Sequence, residues 1–207
     1  MELEALGAVD VGESPSMQGR LPKASQSAPR FATTSVRKKR KAVIIGDFLL
    51  KETEGPVCCL DPSHREVCCL PGVRVRDFAR NITRLVKPSN YYPLLVFHIG
   101  NEEVGERSPR AIKRDFRALG RLLKGSGAQV VFSAVLSVGD WDPHKRKRVD
   151  TLNDRLCEWC AQGFGYYGFG CSLEKGGMLM VDGSQLTRRA TNVLGNKLAR
   201  LVSRALN

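Results

Sequence analysis

YPLLVFHIGNEE at 92–103, SPRAIKRDFRALGRLLKGSG at 108–127 and AQVVFSAV at 128–135 are the stretches whose reading decides the fold. The first is an unbroken apolar run that stops at Gly100, the pattern of a strand buried on both faces. The second predicts a helix. Ser108 can act as N-cap, Pro109 fits the first helical position, and Gly125 and Gly127 end it. Ile112, Phe116, Leu119, Leu122 and Leu123 fall on one side of that helix and are expected to face a sheet. The third stretch is again a strand. A strand, a helix and a strand in succession predict a right-handed crossover between parallel neighbours.

The same alternation extends in both directions. AVIIG at 42–46 and REVCCLPG at 65–72 read as strands, and FGYYGF at 164–169 as a short fifth. Helices are expected over 73–86, 145–162 and 187–206, each with an apolar face. These elements predict a three-layer α/β/α sandwich on a five-stranded parallel sheet, of flavodoxin-like order. Residues 1–36, rich in Ser, Pro, Gly and Ala without an apolar period, are expected to form a disordered leader. The domain proper would span 37–207. The 207 residues suit one such domain and a proper core. No apolar run reaches 18 residues, which excludes a membrane-spanning helix. Seven Cys are too few for a disulfide scaffold. No secretory h-region is visible near the start, so an intracellular location, cytoplasmic or nuclear, is expected. Cys157-x-x-Cys160 lacks a matching pair, and neither metal nor cofactor is expected.

Ligands of open parallel sheets bind at the carboxyl ends of the strands. Four segments fall there: Gly46-Asp47-Phe48-Leu49-Leu50, Pro71-Gly72, Gly100-Asn101-Glu102-Glu103, and Asp182-Gly183-Ser184-Gln185-Leu186 before the last helix. This ordered set resembles the SGNH, or GDSL, hydrolase family. The resemblance implies a nucleophilic Ser after the first strand, a backbone oxyanion donor at a Gly after the second, and an Asn donor after the third. It also implies an Asp and a His before the last helix. A narrower resemblance lies in GDFLLKETEGPVCCLDPSHREVCCLPGVRVRDFAR, RSPRAIKRDFRALGRLLKGSGAQVVFS and NVLGNKLARLVSRALN. These stretches look like the esterase-type domain of first-open-reading-frame proteins of chicken-repeat-type LINE retrotransposons. That resemblance implies an origin in a mobile element.

Gly72 and Asp182 match the family's catalytic set. Phe48 stands where the nucleophilic Ser belongs, Glu102 at the Asn position and Gln185 at the His position. Phenylalanine has no lone pair, and a glutamine amide accepts no proton at neutral pH. A carboxylate where an oxyanion must be stabilised has the wrong sign. A catalytically degenerate domain, a pseudoenzyme, is the reading these residues favour. The alternatives are an active esterase with a relocated nucleophile, drawn from Ser184, Cys58 and Cys59 with His98 as the nearby base, and a decayed fragment without a selected role. Phe48, Gly72, Glu102 and Gln185 are expected to converge on one shallow site.

Charge points elsewhere. The chain carries 33 basic and 21 acidic residues, and its formal net charge is +12. Residues 1–36 hold 3 basic and 4 acidic residues, so the excess lies in the domain. Arg110, Lys113, Arg114, Arg117, Arg121 and Lys124 share a helical stripe about 100° wide. Packing requires that this side be polar, but not that it be of one sign, and like charges at i,i+4 repel slightly. RNA or DNA phosphates would supply the missing counter-charge. A merely solvated face is the alternative. No aromatic residue interrupts the stripe, so base stacking is not expected from it. Arg37-Lys38-Lys39-Arg40-Lys41 reads as a nuclear-localisation patch or a solvated flank, and Lys145-Arg146-Lys147-Arg148 as a solvated run opening a helix.

Overall fold

The computed structural model describes residues 40–85, 93–137, 142–170 and 185–207. The expected leader and Asp182 lie outside them. In chain order the elements are β1 (Ala42–Gly46), a 3-10 turn (Phe48–Leu50), α1 (Glu54–Cys58), β2 (Arg65–Cys69), α2 (Val75–Leu85) and β3 (Leu94–His98). There follow α3 (Pro109–Leu123), β4 (Gln129–Ser133), α4 (Pro143–Cys160), β5 (Gly165–Tyr167) and α5 (Arg188–Leu206). Five parallel strands form one sheet in the order β2-β1-β3-β4-β5. The expected three-layer architecture and strand order are the ones observed.

The two faces of β3 divide the core. Leu95, Phe97 and Ile99 face α2, α3 and α4, where they meet Phe78, Phe116, Phe132, Leu152 and Trp159. Leu94 and Val96 face the opposite layer, with Val57 of α1 and Leu194, Leu198 and Val202 of α5. All five residues of β3 are buried, which accounts for its continuous apolar sequence. The N-caps are chemical. Ser108, Asp142 and Thr187 each accept a backbone N–H three residues on.

Several local expectations shift. Leu122 is 53% exposed, at the edge of α3 instead of against the sheet. The 3-10 turn and α1 were not anticipated, because three and five residues carry no readable period. Cys58 accordingly lies on a helix, not a loop, and its Sγ–H donates to the Arg65 carbonyl at 3.3 Å. The helix at 145–162 starts at Pro143, which places Lys145–Arg148 in its first turns. Arg148 is half-buried and donates to the carbonyls of Gly105 and Arg107. That pair of bonds ties α4 to the loop after β3. Among the described residues no helix is long and apolar enough to cross a membrane.

Candidate functional site

β1 and β3 run so close at their carboxyl ends that a Cβ at Gly46 would lie 2.1 Å from the His98 carbonyl oxygen. Only glycine fits there. The next residue, Asp47, is fully buried. Its carboxylate accepts from the Leu49 N–H at 3.2 Å, and from the Asn101 N–H and side-chain amide at 3.1 and 3.2 Å. Asn101 in turn accepts from the Leu136 N–H at 3.0 Å. The ends of β1, β3 and β4 are thus joined through two side chains. Burial pushes the Asp47 carboxyl up to about 6, against the opposing pull of its hydrogen bonds from Asn101 and Leu49; the charge of Glu102 adds to the rise. Sequence alone assigns Asp47 and Asn101 no role, since it offers no sign of which polar residues are buried.

The loop after β3 is anchored from below. Glu103, fully buried, accepts the Val75 N–H at 2.8 Å and pairs with Arg107. Arg107 also reaches Asp115 of α3 at 2.7 Å. This clamp holds the start of α2 against the loop. Just above it, Gly72 adopts φ +76°, a conformation that favours glycine. Its N–H donates to the Glu102 carboxylate at 3.1 Å. The backbone donor that could serve a developing oxyanion therefore already holds a fixed negative group.

Phe48 and Gln185 meet across a cavity of about 270 Å³, lined also by Leu49, Lys51, Glu52, Pro71, Leu186 and Thr191. Pro71 brings the Gly72–Glu102 pair to its border. The four expected residues thus gather at one edge of the sheet, with Phe48 and Gln185 lining the cavity and Gly72 and Glu102 bonded beside it. Phe48, Leu49, Pro71 and Leu186 supply its apolar lining, and no His or Cys lines it among the described residues.

Of the other nucleophile candidates, Cys59 is exposed, its Sγ–H donating to the Pro56 carbonyl at 3.3 Å, and the rest of those among the described residues are held away from reaction. Cys69 donates to the Asp47 carbonyl at 3.4 Å. Burial, with Glu54 as a further cause, pushes the Cys58 and Cys69 thiols up, so neither is a ready thiolate. Ser133 and His98 stand 2.7 Å apart, a distance that suits a nucleophile and its base. Yet both are sealed in the core: Ser133 also donates to the Phe97 carbonyl at 3.1 Å, and the His98 ring packs on Phe169. Burial lowers the His98 pKa to about 4, which makes it a poor base at neutral pH. Ser184 lies outside the described residues.

On the opposite layer, five of the six cations of the α3 stripe are exposed, and Lys113 is half-buried. They do not stand alone. Arg155 of α4 joins Arg110, Lys113, Arg114 and Arg117 around a groove of about 690 Å³. At the far end, Arg117, Arg121 and Lys124 share a recess of about 160 Å³ with Trp159, Gln162 and Phe164. The stripe carries no aromatic residue of its own, but tertiary packing sets two beside it.

Known structures with this fold are informative about the architecture. A member of the lipolytic G-D-S-L family from Veillonella parvula superposes with a TM-score of 0.67 at 13% identity, covering 80% of this chain and 99% of that one. A GDSL-like lipase from Bacteroides thetaiotaomicron gives 0.64 at 14% identity, over 83% and 91%. The psychrotrophic esterase EstA from Pseudoalteromonas sp., solved with monoethylphosphonate as inhibitor, gives 0.64 at 12% identity, over 81% and 99%. The fold of this chain is therefore the SGNH-hydrolase fold. No family model matches the sequence, and no curated protein does.

Proposed function

We propose that this chain is a catalytically degenerate SGNH-hydrolase-like domain of LINE-retrotransposon origin, a pseudoenzyme whose remaining activity is to bind polyanions. The observation that carries the first half is the bond from the Gly72 N–H to the Glu102 carboxylate. A tetrahedral intermediate would have to displace one anion with another at the same donor, and would meet Coulomb repulsion in doing so. Phe48 at the nucleophile position and Gln185 at the base position remove the other two requirements. The mobile-element origin rests on the quoted stretches of sequence.

Hydrolysis of a chromogenic short-chain acyl ester tests this half. The unaltered protein should give no turnover above background. Phe48→Ser alone should stay silent, because the donor remains occupied and the base absent. Phe48→Ser, Glu102→Asn and Gln185→His together form the combination expected to restore turnover. A robust rate from the unaltered protein that survives every change at these positions would overturn the reading.

Polyanion binding rests on the α3 cations and Arg155. Asp115 is a carboxylate beside them, 3.7 Å from Arg114, and it is already engaged by Arg107. Phosphate contacts release counterions, so affinity should fall steeply with salt. Charge reversal of Arg114, Arg117 and Arg121 together should weaken the binding of inorganic polyphosphate. It should also flatten the logarithmic salt slope by roughly two. An unchanged slope would assign the basic excess to solubility.

A further inference from the structure

The polyanion reading leaves open which polyanion. The α3–α4 surface combines two features that different anions would use differently. Arg117 lines both the basic groove and the aromatic recess, so the two are continuous. From Arg110 to Lys124 the cations extend about 21 Å along α3. The recess at the end is walled by Trp159 and Phe164, whose ring centres lie 5.0 Å apart. Both rings are held from behind by Phe132, at 5.3 and 5.5 Å. They are therefore positioned before any ligand arrives.

Gly120 explains how the rings reach α3. A Cβ there would stand 2.7 Å from Trp159 and 3.0 Å from Phe164. A glycine inside a helix costs about 1 kcal/mol relative to alanine, and here it lets an aromatic pair close against the cationic face. Trp159 is 8% exposed and Phe164 partly exposed, so Phe164 offers the more accessible ring in the recess.

We infer that this surface binds single-stranded nucleic acid, with the phosphates along Arg110, Arg114, Arg117 and Arg155 and one unpaired base in the Trp159–Phe164 recess. The inference rests on the polyanion reading and narrows it. Polyphosphate satisfies the cations but has nothing to place against the aromatic side of the recess. A duplex keeps both faces of each base stacked and its edges paired, so it has no free base to insert. A single strand supplies both parts, and a basic track with aromatic stacking positions is how such strands are held without sequence preference. The guanidinium of Arg117 or Arg121 offers a further planar surface beside the rings.

The chain has two tryptophans, Trp141 and Trp159. Trp141→Phe therefore leaves Trp159 as the sole fluorescent reporter. The full chain carrying this change is titrated at low salt with a single-stranded oligonucleotide, with its duplex, and with inorganic polyphosphate. The single strand is expected to quench Trp159 and to bind about tenfold tighter than polyphosphate of equal charge, since one stacked base is worth about that factor. Phe164→Leu keeps an apolar side chain against Phe132 but removes the ring. It should cost about tenfold for the single strand and nothing for polyphosphate. Equal binding of the single strand and polyphosphate without quenching, or tighter binding of the duplex, would overturn this inference and leave the polyanion reading standing. Binding of none of the three would remove that reading as well.

Discussion

Replacement of Arg107 by methionine is expected to cost about 3–5 kcal/mol of folding stability, because it strands a buried carboxylate. Glu103 is fully buried, and the Arg107 and Asp115 side chains are 18% and 11% exposed. Removing the cation leaves Glu103 with the Val75 N–H as its remaining partner, and Asp115 without its 2.7 Å contact. The penalty of an uncompensated buried charge exceeds what the pair itself contributes, and this asymmetry makes the prediction large. Urea unfolding of the wild type, of Arg107→Met, and of Arg107→Met combined with Glu103→Gln and Asp115→Asn separates the contributions. The triple variant carries no stranded charge and should recover a substantial part of the loss. A loss below about 1 kcal/mol in the single variant would mean that water already reaches this clamp. The clamp also holds the loop that presents Glu102, so the Gly72–Glu102 bond should loosen in the same variant.

The second large effect is a cancellation between two buried groups as pH changes. Folding lowers the His98 pKa from 6.5 to about 4. Its contribution to stability is complete above pH 6.5 and is lost as pH falls toward 4. Folding raises the Asp47 pKa from 3.8 to about 6. Its contribution is complete below pH 3.8 and is lost as pH rises through 6. Each pKa step is worth about 1.4 kcal/mol, so each group moves stability by about 3 kcal/mol over nearly the same interval, in opposite directions. The wild type should therefore show little net dependence on this pair between pH 7 and 4. Asp47→Asn removes one side of the balance, and its stability should fall by about 3 kcal/mol on acidification. His98→Gln removes the other and should gain a similar amount. Parallel pH profiles for the wild type and both variants would refute the opposed shifts.

The same two residues mark where sequence reading stops. The strand–helix alternation identified the sheet, its order and its carboxyl edge, because burial on both faces forces continuous apolar runs such as Leu94–His98. The short turn at Phe48–Leu50 and α1 escaped it, since so few residues have no periodicity. The helical wheel places Leu122 inward, yet it is 53% exposed. Wheel geometry says which way a side chain points and nothing about whether another element is there to meet it.

For the site the division is similar. On the proposed reading, residue identity at 48, 102 and 185 is enough to remove a nucleophile, a neutral donor and a base, because those are properties of single side chains. What Glu102 does in their absence is a property of distance. Gly72 and Glu102 are 30 positions apart in the chain and 3.1 Å apart in space, and no pattern of spacing reports that. On α3, sequence alone determined a cationic stripe, since a helix fixes the relation of residues three and four apart. It also determined that the stripe contains no aromatic residue. Only the tertiary structure decided that Arg155, Trp159 and Phe164 complete it. They come from α4 and the turn that follows it, and the packing of one helix on another depends on which side chains fill the space between them.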